Sequence, residues 1–140
     1  MACGTTQVAR GLTTWFCCGN AFGPCGAAGH GACGTCNSGS HQCAWPNISS
    51  ACLGVTNPGR CGLNLGRFGC GHRFFIENLC NTRCVAVTIA DCGPATDQFC
   101  GERVCCGSTC GTNRVMDLTP SAFSSIGSLS AGILPCRVAN

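Results

Sequence analysis

The chain of 140 residues contains no lysine and no tyrosine, and only five of its residues are acidic. Charged residues make up 9% of it, against the roughly 25–35% usual for soluble surfaces. Its basic residues are eight arginines, spread along the chain, and the formal net charge is +3. Without a basic cluster, a nucleic-acid partner is not indicated. No apolar run approaches the roughly 18 residues of a membrane-spanning helix. Met1-Ala2-Cys3-Gly4 lacks the basic start and apolar h-region of a secretory leader, and the chain reads as a mature one beginning with an initiator methionine. So neutral a surface suits a protein that adsorbs to a matrix or packs against copies of itself, although a densely crosslinked protein also simply tolerates neutrality.

What the chain has in excess is cysteine, 18 of 140 residues, well above the roughly 8–10% that marks a disulfide scaffold. The even count allows every thiol to be bridged: Cys3, Cys17, Cys18, Cys25, Cys33, Cys36, Cys43, Cys52, Cys61, Cys70, Cys80, Cys84, Cys92, Cys100, Cys105, Cys106, Cys110 and Cys136. The connectivity is not readable from spacing, but the vicinal pairs Cys17-Cys18 and Cys105-Cys106 are expected to bond elsewhere, because a vicinal ring is strained. Such a pattern belongs in an oxidising compartment, and the protein reads as secreted. His30, Cys33, Cys36, His41 and Cys43 have ligand types at zinc-like spacing; in this cysteine background disulfides are the better account. No metal or other cofactor is called for. Asn47-Ile48-Ser49 fits the glycosylation acceptor pattern, which matters only in a glycosylating organism.

The length fits a single domain spanning 1–140. Residues 5–18 read as a strand region, and 19–67 as a Gly/Ser/Asn/Cys-rich loop insertion held by bridges. Arg73–Asn78 and Cys84–Ala90 read as strands around a short Cys-containing turn, followed by a second Cys-rich loop over 92–113. Arg114–Leu118 is a further strand. Thr119-Pro120 then predicts a short helix, with Thr at the N-cap and Pro at the first helical position, ending near Gly127. Gly132–Val138 closes the chain as a strand in which Pro135 suggests an edge or irregularity. Short strands with one small helix predict a compact, mainly β barrel.

Two of the rare carboxylates stand out. In VAVTIADCGP (Val85–Pro94), strict alternation puts Asp91 on the face of Val85, Val87 and Ile89. If that face is the core face, Asp91 projects at the barrel rim. In RVMDL the same rule pairs Asp117 with Val115. Two aspartates from different strands are thereby expected to converge at one end of the barrel. Each also has a purely local explanation: Asp91 as a turn cap around Cys92-Gly93, Asp117 as a residue just ahead of the helix N-cap. Trp15 and Trp45 offer flat π-surfaces for stacking on sugars. Trp45 is the better candidate because it falls in a loop, and packing against disulfides is the alternative for Trp15.

Four segments of the chain resemble, in order, motifs of the double-psi β-barrel superfamily. This superfamily includes expansins, rare lipoprotein A-like proteins, barwin-like proteins and glycoside hydrolase family 45. FGCGHRFFIENL (68–79) is similar to "LPxGTRVRVTNL", Val85–Pro94 to "VVVRVTDRGP", VMDLTPSAF (115–123) to "ALDLSPxAF", and SAGILPCRV (130–138) to "AGIIPVxxR". Gly11–Cys18 (GLTTWFCC) echoes "GxATxYG" of expansins and "TTRYWDCC" of the family 45 hydrolases, and Gly31–Gly34 (GACG) echoes "GACGYG". The resemblance implies a small six-stranded double-psi barrel with one or two short helices and long disulfide-stapled loops. It also implies a polysaccharide groove holding Asp91, Asp117 and a threonine at Thr13 or Thr14.

The same resemblance bears on catalysis. Glycoside hydrolysis normally uses two carboxyls, and Asp117 corresponds to the general acid of the family 45 enzymes. The position of their usual base holds Phe16. In the rare lipoprotein A-like lytic transglycosylases, the counterpart of Asp91 works with a Glu and a His. The His position falls at Leu65, and no Glu precedes Glu77, which argues against peptidoglycan cleavage. The leading expectation is therefore a secreted, expansin-like protein that binds or loosens cell-wall polysaccharide without hydrolysis. The alternatives are a structural subunit of an extracellular filament, sheath or coat, a protease inhibitor or defence protein, and an endoglucanase with Asp117 and Asp91 as catalytic residues.

Overall fold

The computed structural model describes residues 3–49, 65–94 and 114–140. The strands are β1 (Gln7–Trp15), β2 (Gln42–Trp45), β3 (Arg73–Asn78), β4 (Cys84–Cys92), β5 (Arg114–Leu118) and β6 (Ile133–Ala139). Helix α1 (Pro120–Ile126) and a 3-10 turn (Leu129–Ala131) lie between β5 and β6. The six strands close into a barrel in the order β1-β5-β2-β4-β3-β6. The β1–β5 and β2–β4 pairs are parallel and the remaining pairs antiparallel. Closure leaves no free sheet edge. On its β3 side, β6 pairs only as far back as Cys136, so the ladder stops one residue short of Pro135, which has no N–H to give.

The strands form where apolar residues alternate. In β4, Val85, Val87 and Ile89 are buried while Ala86 and Thr88 are half-buried; in β3, Phe74, Ile76 and Asn78 are buried. These side chains join Trp45, Met116, Leu118 and Val138 in one core. Helix α1 starts at Thr119-Pro120 and ends at Gly127 as the sequence predicts, and buries Pro120, Ala122, Phe123 and Ile126. The Thr119 hydroxyl does not cap its own helix. It donates to the Ser40 carbonyl at 2.5 Å and accepts the Gln42 N–H at 3.2 Å, fastening the helix start to the beginning of β2.

Four disulfides are seen among the described residues: Cys3–Cys84, Cys17–Cys25, Cys18–Cys36 and Cys33–Cys70. The vicinal cysteines 17 and 18 thus bond elsewhere, as expected; Cys105 and Cys106 lie outside the described residues. A native bridge typically contributes about 2–4 kcal/mol, and three of these four staple the stretch from Cys17 to Cys36. Full bridging is corrected at two positions, since Cys43 and Cys136 are free and buried. Cys43 is on β2 and Cys136 on β6, strands three places apart around the barrel. A disulfide needs Cα atoms roughly 4.4–6.8 Å apart, a separation typical of neighbouring strands. Burial raises both thiols well above the ordinary cysteine range, so they behave as small apolar core residues.

Candidate functional site

Residues directly opposite each other on neighbouring strands share a face of the sheet, so the barrel register sorts side chains into rows. One row runs Trp15–Leu118–Cys43–Ile89 across β1, β5, β2 and β4. It faces inward: Leu118, Cys43 and Ile89 are all in the core. The adjacent row runs Thr14–Asp117–Ala44–Asp91 across the same four strands. It therefore lies on the outer face of the wall. Asp117 and Asp91 flank Ala44, about 10 Å apart at their Cα atoms given two strand spacings of ~4.8 Å.

Two irregularities bring this about. The register shifts between Cys43 and Ala44, where β4 advances from Ile89 to Asp91, leaving Ala90 as an extra residue. It shifts again between Leu12 and Thr13, where β5 advances from Arg114 to Met116, leaving Val115 as the extra residue. A bulge of this kind sets two residues against one and breaks strict alternation. Accordingly Val115 and Met116 are both buried in the core, and Ala90 packs with Cys18 and Cys36 outside it. The expectation that Asp91 shares a face with Ile89, and Asp117 with Val115, is corrected by these bulges. The two aspartates come together, but on the barrel wall.

Asp117 is held by its neighbours. The Thr14 hydroxyl donates to its Oδ1. Arg114 Nη1 lies 3.8 Å from the same oxygen and donates to Thr14 Oγ1 at 3.3 Å. The Asp117 side chain is only 15% exposed. Burial pushes its carboxyl above the ordinary carboxylate range, outweighing the opposing pulls of the Thr14 hydrogen bond and the Arg114 charge, and Asp91 pushes it further in the same direction. Of the two threonines offered by the sequence, Thr14 is the one at the site; Thr13 is fully buried and paired with Met116.

Asp91 caps a loop. Its Oδ1 accepts the Ala32 N–H and the Cys92 N–H, both at 2.8 Å. The local and the site explanations thus hold together, with GACG (31–34) as the segment that wraps the carboxylate. Gly31 makes this approach possible: it sits at φ +67, and a Cβ there would be 2.6 Å from both the Ala90 carbonyl oxygen and Cys36 Cβ. The chain also binds the β4 backbone directly, with the Cys33 N–H donating to the Ala90 carbonyl at 3.1 Å.

The tryptophans are corrected. Trp45 is in β2 and fully buried, its indole N–H donating to the Gly66 carbonyl at 3.0 Å, its ring beside Phe68 and Phe74. It has no face to offer a sugar. Trp15 is half-buried against the core, its indole N–H donating to the Leu129 carbonyl at 3.0 Å. Phe16 is half-buried against the cluster of Cys18, Cys36 and Ala90, so the position matching the hydrolase base is apolar. The zinc-like set is taken apart, because Cys33 and Cys36 are bridged to Cys70 and Cys18. Sequence alone leaves Arg114 and Ala44 out, and it marks GACG (31–34) as a motif without linking it to Asp91. Of the two omitted residues only Arg114, three residues before Asp117 on one short strand, left a local signal.

No protein-family model matches the chain, and no curated protein does. Solved structures that share its fold include the following two. One is an expansin variant of Clavibacter michiganensis in complex with cellohexaose, with TM-score 0.50 and 18% identity, covering 96% of this chain and 50% of the expansin chain. The chain thus spans about half of that protein. The other is a Streptomyces papain inhibitor, with TM-score 0.52 and 18% identity, covering 94% of both chains. The closed six-stranded mixed barrel and these two likenesses define a double-psi β-barrel of expansin-like fold.

Proposed function

We propose that the protein is a secreted, non-hydrolytic polysaccharide-binding protein that takes its ligand at the Thr14–Asp117–Ala44–Asp91 strip. The observation that carries this reading is the assembly of the strip itself: two of only five acidic residues stand in one outward row, each already held in place. Asp117 and Arg114 present an acceptor and a donor to sugar hydroxyls, and Asp91 keeps an oxygen beyond the one bound by Ala32 and Cys92. The cellohexaose bound to the expansin of like fold supports a glucan-type ligand. Hydrolysis is disfavoured because the position matching the base is Phe16, and because Asp91 is engaged as a loop cap. The disulfides support an oxidising, extracellular location.

Titration with cellohexaose and adsorption to insoluble cellulose and xylan test this. Asp117→Ala and Asp91→Ala should each weaken binding by about tenfold or more, with no reducing sugar released by the wild type. Unchanged binding in both variants would remove the strip from consideration.

A second reading, protease inhibition, is favoured by one observation. The likeness to the papain inhibitor extends over nearly the whole of both chains, so a lone barrel of this size suffices for that activity in the other protein. Inhibition of papain by the purified protein is the direct test.

A further inference from the structure

Among the described residues the one exposed large hydrophobic side chain is Phe22, 36% exposed. It lies in the ring closed by Cys17–Cys25. The neighbouring Cys18 is independently tied to Cys36, so the stalk of the ring is crosslinked twice. Within the ring, Phe22 and Cys25 exchange backbone hydrogen bonds, Phe22 N–H to the Cys25 carbonyl at 3.2 Å and Cys25 N–H to the Phe22 carbonyl at 2.9 Å. The two residues between them are Gly23, at φ +53, and Pro24, whose φ is locked near −65°. That sign pair is the one a two-residue type II′ hairpin turn requires. Asn20 to Pro24 are all exposed, and no charged residue occurs between Arg10 and Arg60.

We propose that this ring, with Phe22 as its anchor, is the segment that enters the cleft of a papain-type endopeptidase. The proposal rests on the second reading above and names its contact surface. A convex, uncharged, aromatic-tipped loop is complementary to a concave apolar cleft. A loop already fixed by two bridges and a hairpin turn loses little conformational freedom on binding, which is the chief cost for a flexible peptide. The tip also resists being consumed. The peptide bond after Gly23 is to a proline nitrogen, a tertiary amide without an N–H, a poor substrate for an endopeptidase. Were that bond hydrolysed, one water would be added, leaving a carboxylate on Gly23 and an amine on residue 24. Cys17–Cys25 would still hold both new ends. A flat sugar platform is the poorer fit, because the ring presents a narrow tip.

The test uses papain and the intact, oxidised protein, with hydrolysis of a small chromogenic peptide as readout. Wild-type protein should inhibit, and Phe22→Ala should raise the inhibition constant by about tenfold or more, the scale of losing an interface anchor. Pro24→Ala should turn the loop into a slowly cleaved one, seen as a gain of one water in the intact mass and as two fragments after reduction. Both variants should bind cellohexaose as the wild type does. Inhibition undiminished in Phe22→Ala would overturn the loop assignment while leaving the inhibitor reading standing. Absence of papain inhibition by the wild type would overturn both.

Discussion

Gly31 and Gly34 provide a matched pair of perturbations for the loop that wraps Asp91. Both sit in the left-handed region, at φ +67 and φ +79, where an L side chain costs roughly 1–2 kcal/mol. Alanine also restricts the unfolded chain, which returns about 0.4–1 kcal/mol. The net backbone loss on Gly→Ala is thus about 0.5–1 kcal/mol at either position. Their surroundings differ completely. A Cβ at Gly34 meets nothing within 4 Å, whereas one at Gly31 would be 2.6 Å from the Ala90 carbonyl oxygen and from Cys36 Cβ, and 3.3 Å from Asp91 Cβ. Two of those neighbours are backbone or crosslinked and do not swing aside, so overpacking adds about 1–3 kcal/mol.

Gly31→Ala should therefore lose about 2–4 kcal/mol and Gly34→Ala under about 1.5. The measurement is guanidinium unfolding of the oxidised variants with a common m-value, which a pure stability change leaves unaltered. Because displacing Gly31 also draws the Ala32 N–H away from Asp91, Gly31→Ala should weaken cellohexaose binding and Gly34→Ala should not. Equal losses of stability in the two variants would refute the close seating of this loop on β4, and with it the account of how Asp91 is held.

Three further outcomes follow from the same geometry. Trp45→Phe should cost about 2 kcal/mol through the lost indole hydrogen bond and part of a fully buried ring, with cellohexaose affinity unchanged; reduced affinity at unchanged stability would put the ring at the ligand. Without reductant, Cys43 and Cys136 should resist alkylation in the native protein and both become alkylated after denaturation, read by peptide mass; failure to label once unfolded would show that they are bridged. Asp117, whose carboxyl is raised by burial, binds its proton more readily folded than unfolded. Stability from this group is then highest below the unfolded value of 3.8 and falls as pH rises through the raised value. The stability of Asp117→Asn relative to wild type should accordingly increase from pH 3 to pH 7, and a difference flat with pH would contradict the burial of the charge.

The parts of the fold legible in the sequence are those in which a local pattern agrees with the final packing. RFFIEN and CVAVTIA alternate, pair with each other in register from Arg73–Thr88 to Glu77–Cys84, and need only a short turn between them. Thr119-Pro120 signals a helix start by itself. Strand β2 carried no such signal: QCAW is four residues inside a Cys-rich loop, and it is a strand only because β4 and β5 pair with it on both sides. Trp45 was placed in a loop for the same reason, and its burial follows from that pairing. The cysteine count correctly indicated a stapled chain. It could not distinguish thiols in loops from Cys43 and Cys136, which face the barrel core.

The carboxylates show where alternation stops being a guide. Continued without interruption from Val85 through Ile89, the pattern would carry Asp91 to the inward face, among Trp45, Phe74 and Ile89. An unpaired carboxylate there would be strongly penalised by desolvation, and no cation lies on that row. The extra residue at Ala90 resolves the conflict by switching Asp91 to the outer face, where the Ala32 and Cys92 amides receive it. The extra residue at Val115 does the same for Asp117 by keeping Val115 and Met116 in the core and turning the acid outward to Thr14 and Arg114. Both bulges fall on the parallel pairs of the barrel, and both end with an acid beside β2. An acid appearing where an apolar alternation predicts a core residue is thus the local trace of a bulge, and in this barrel a pair of such acids on two strands brackets Ala44 on the outer face of the wall.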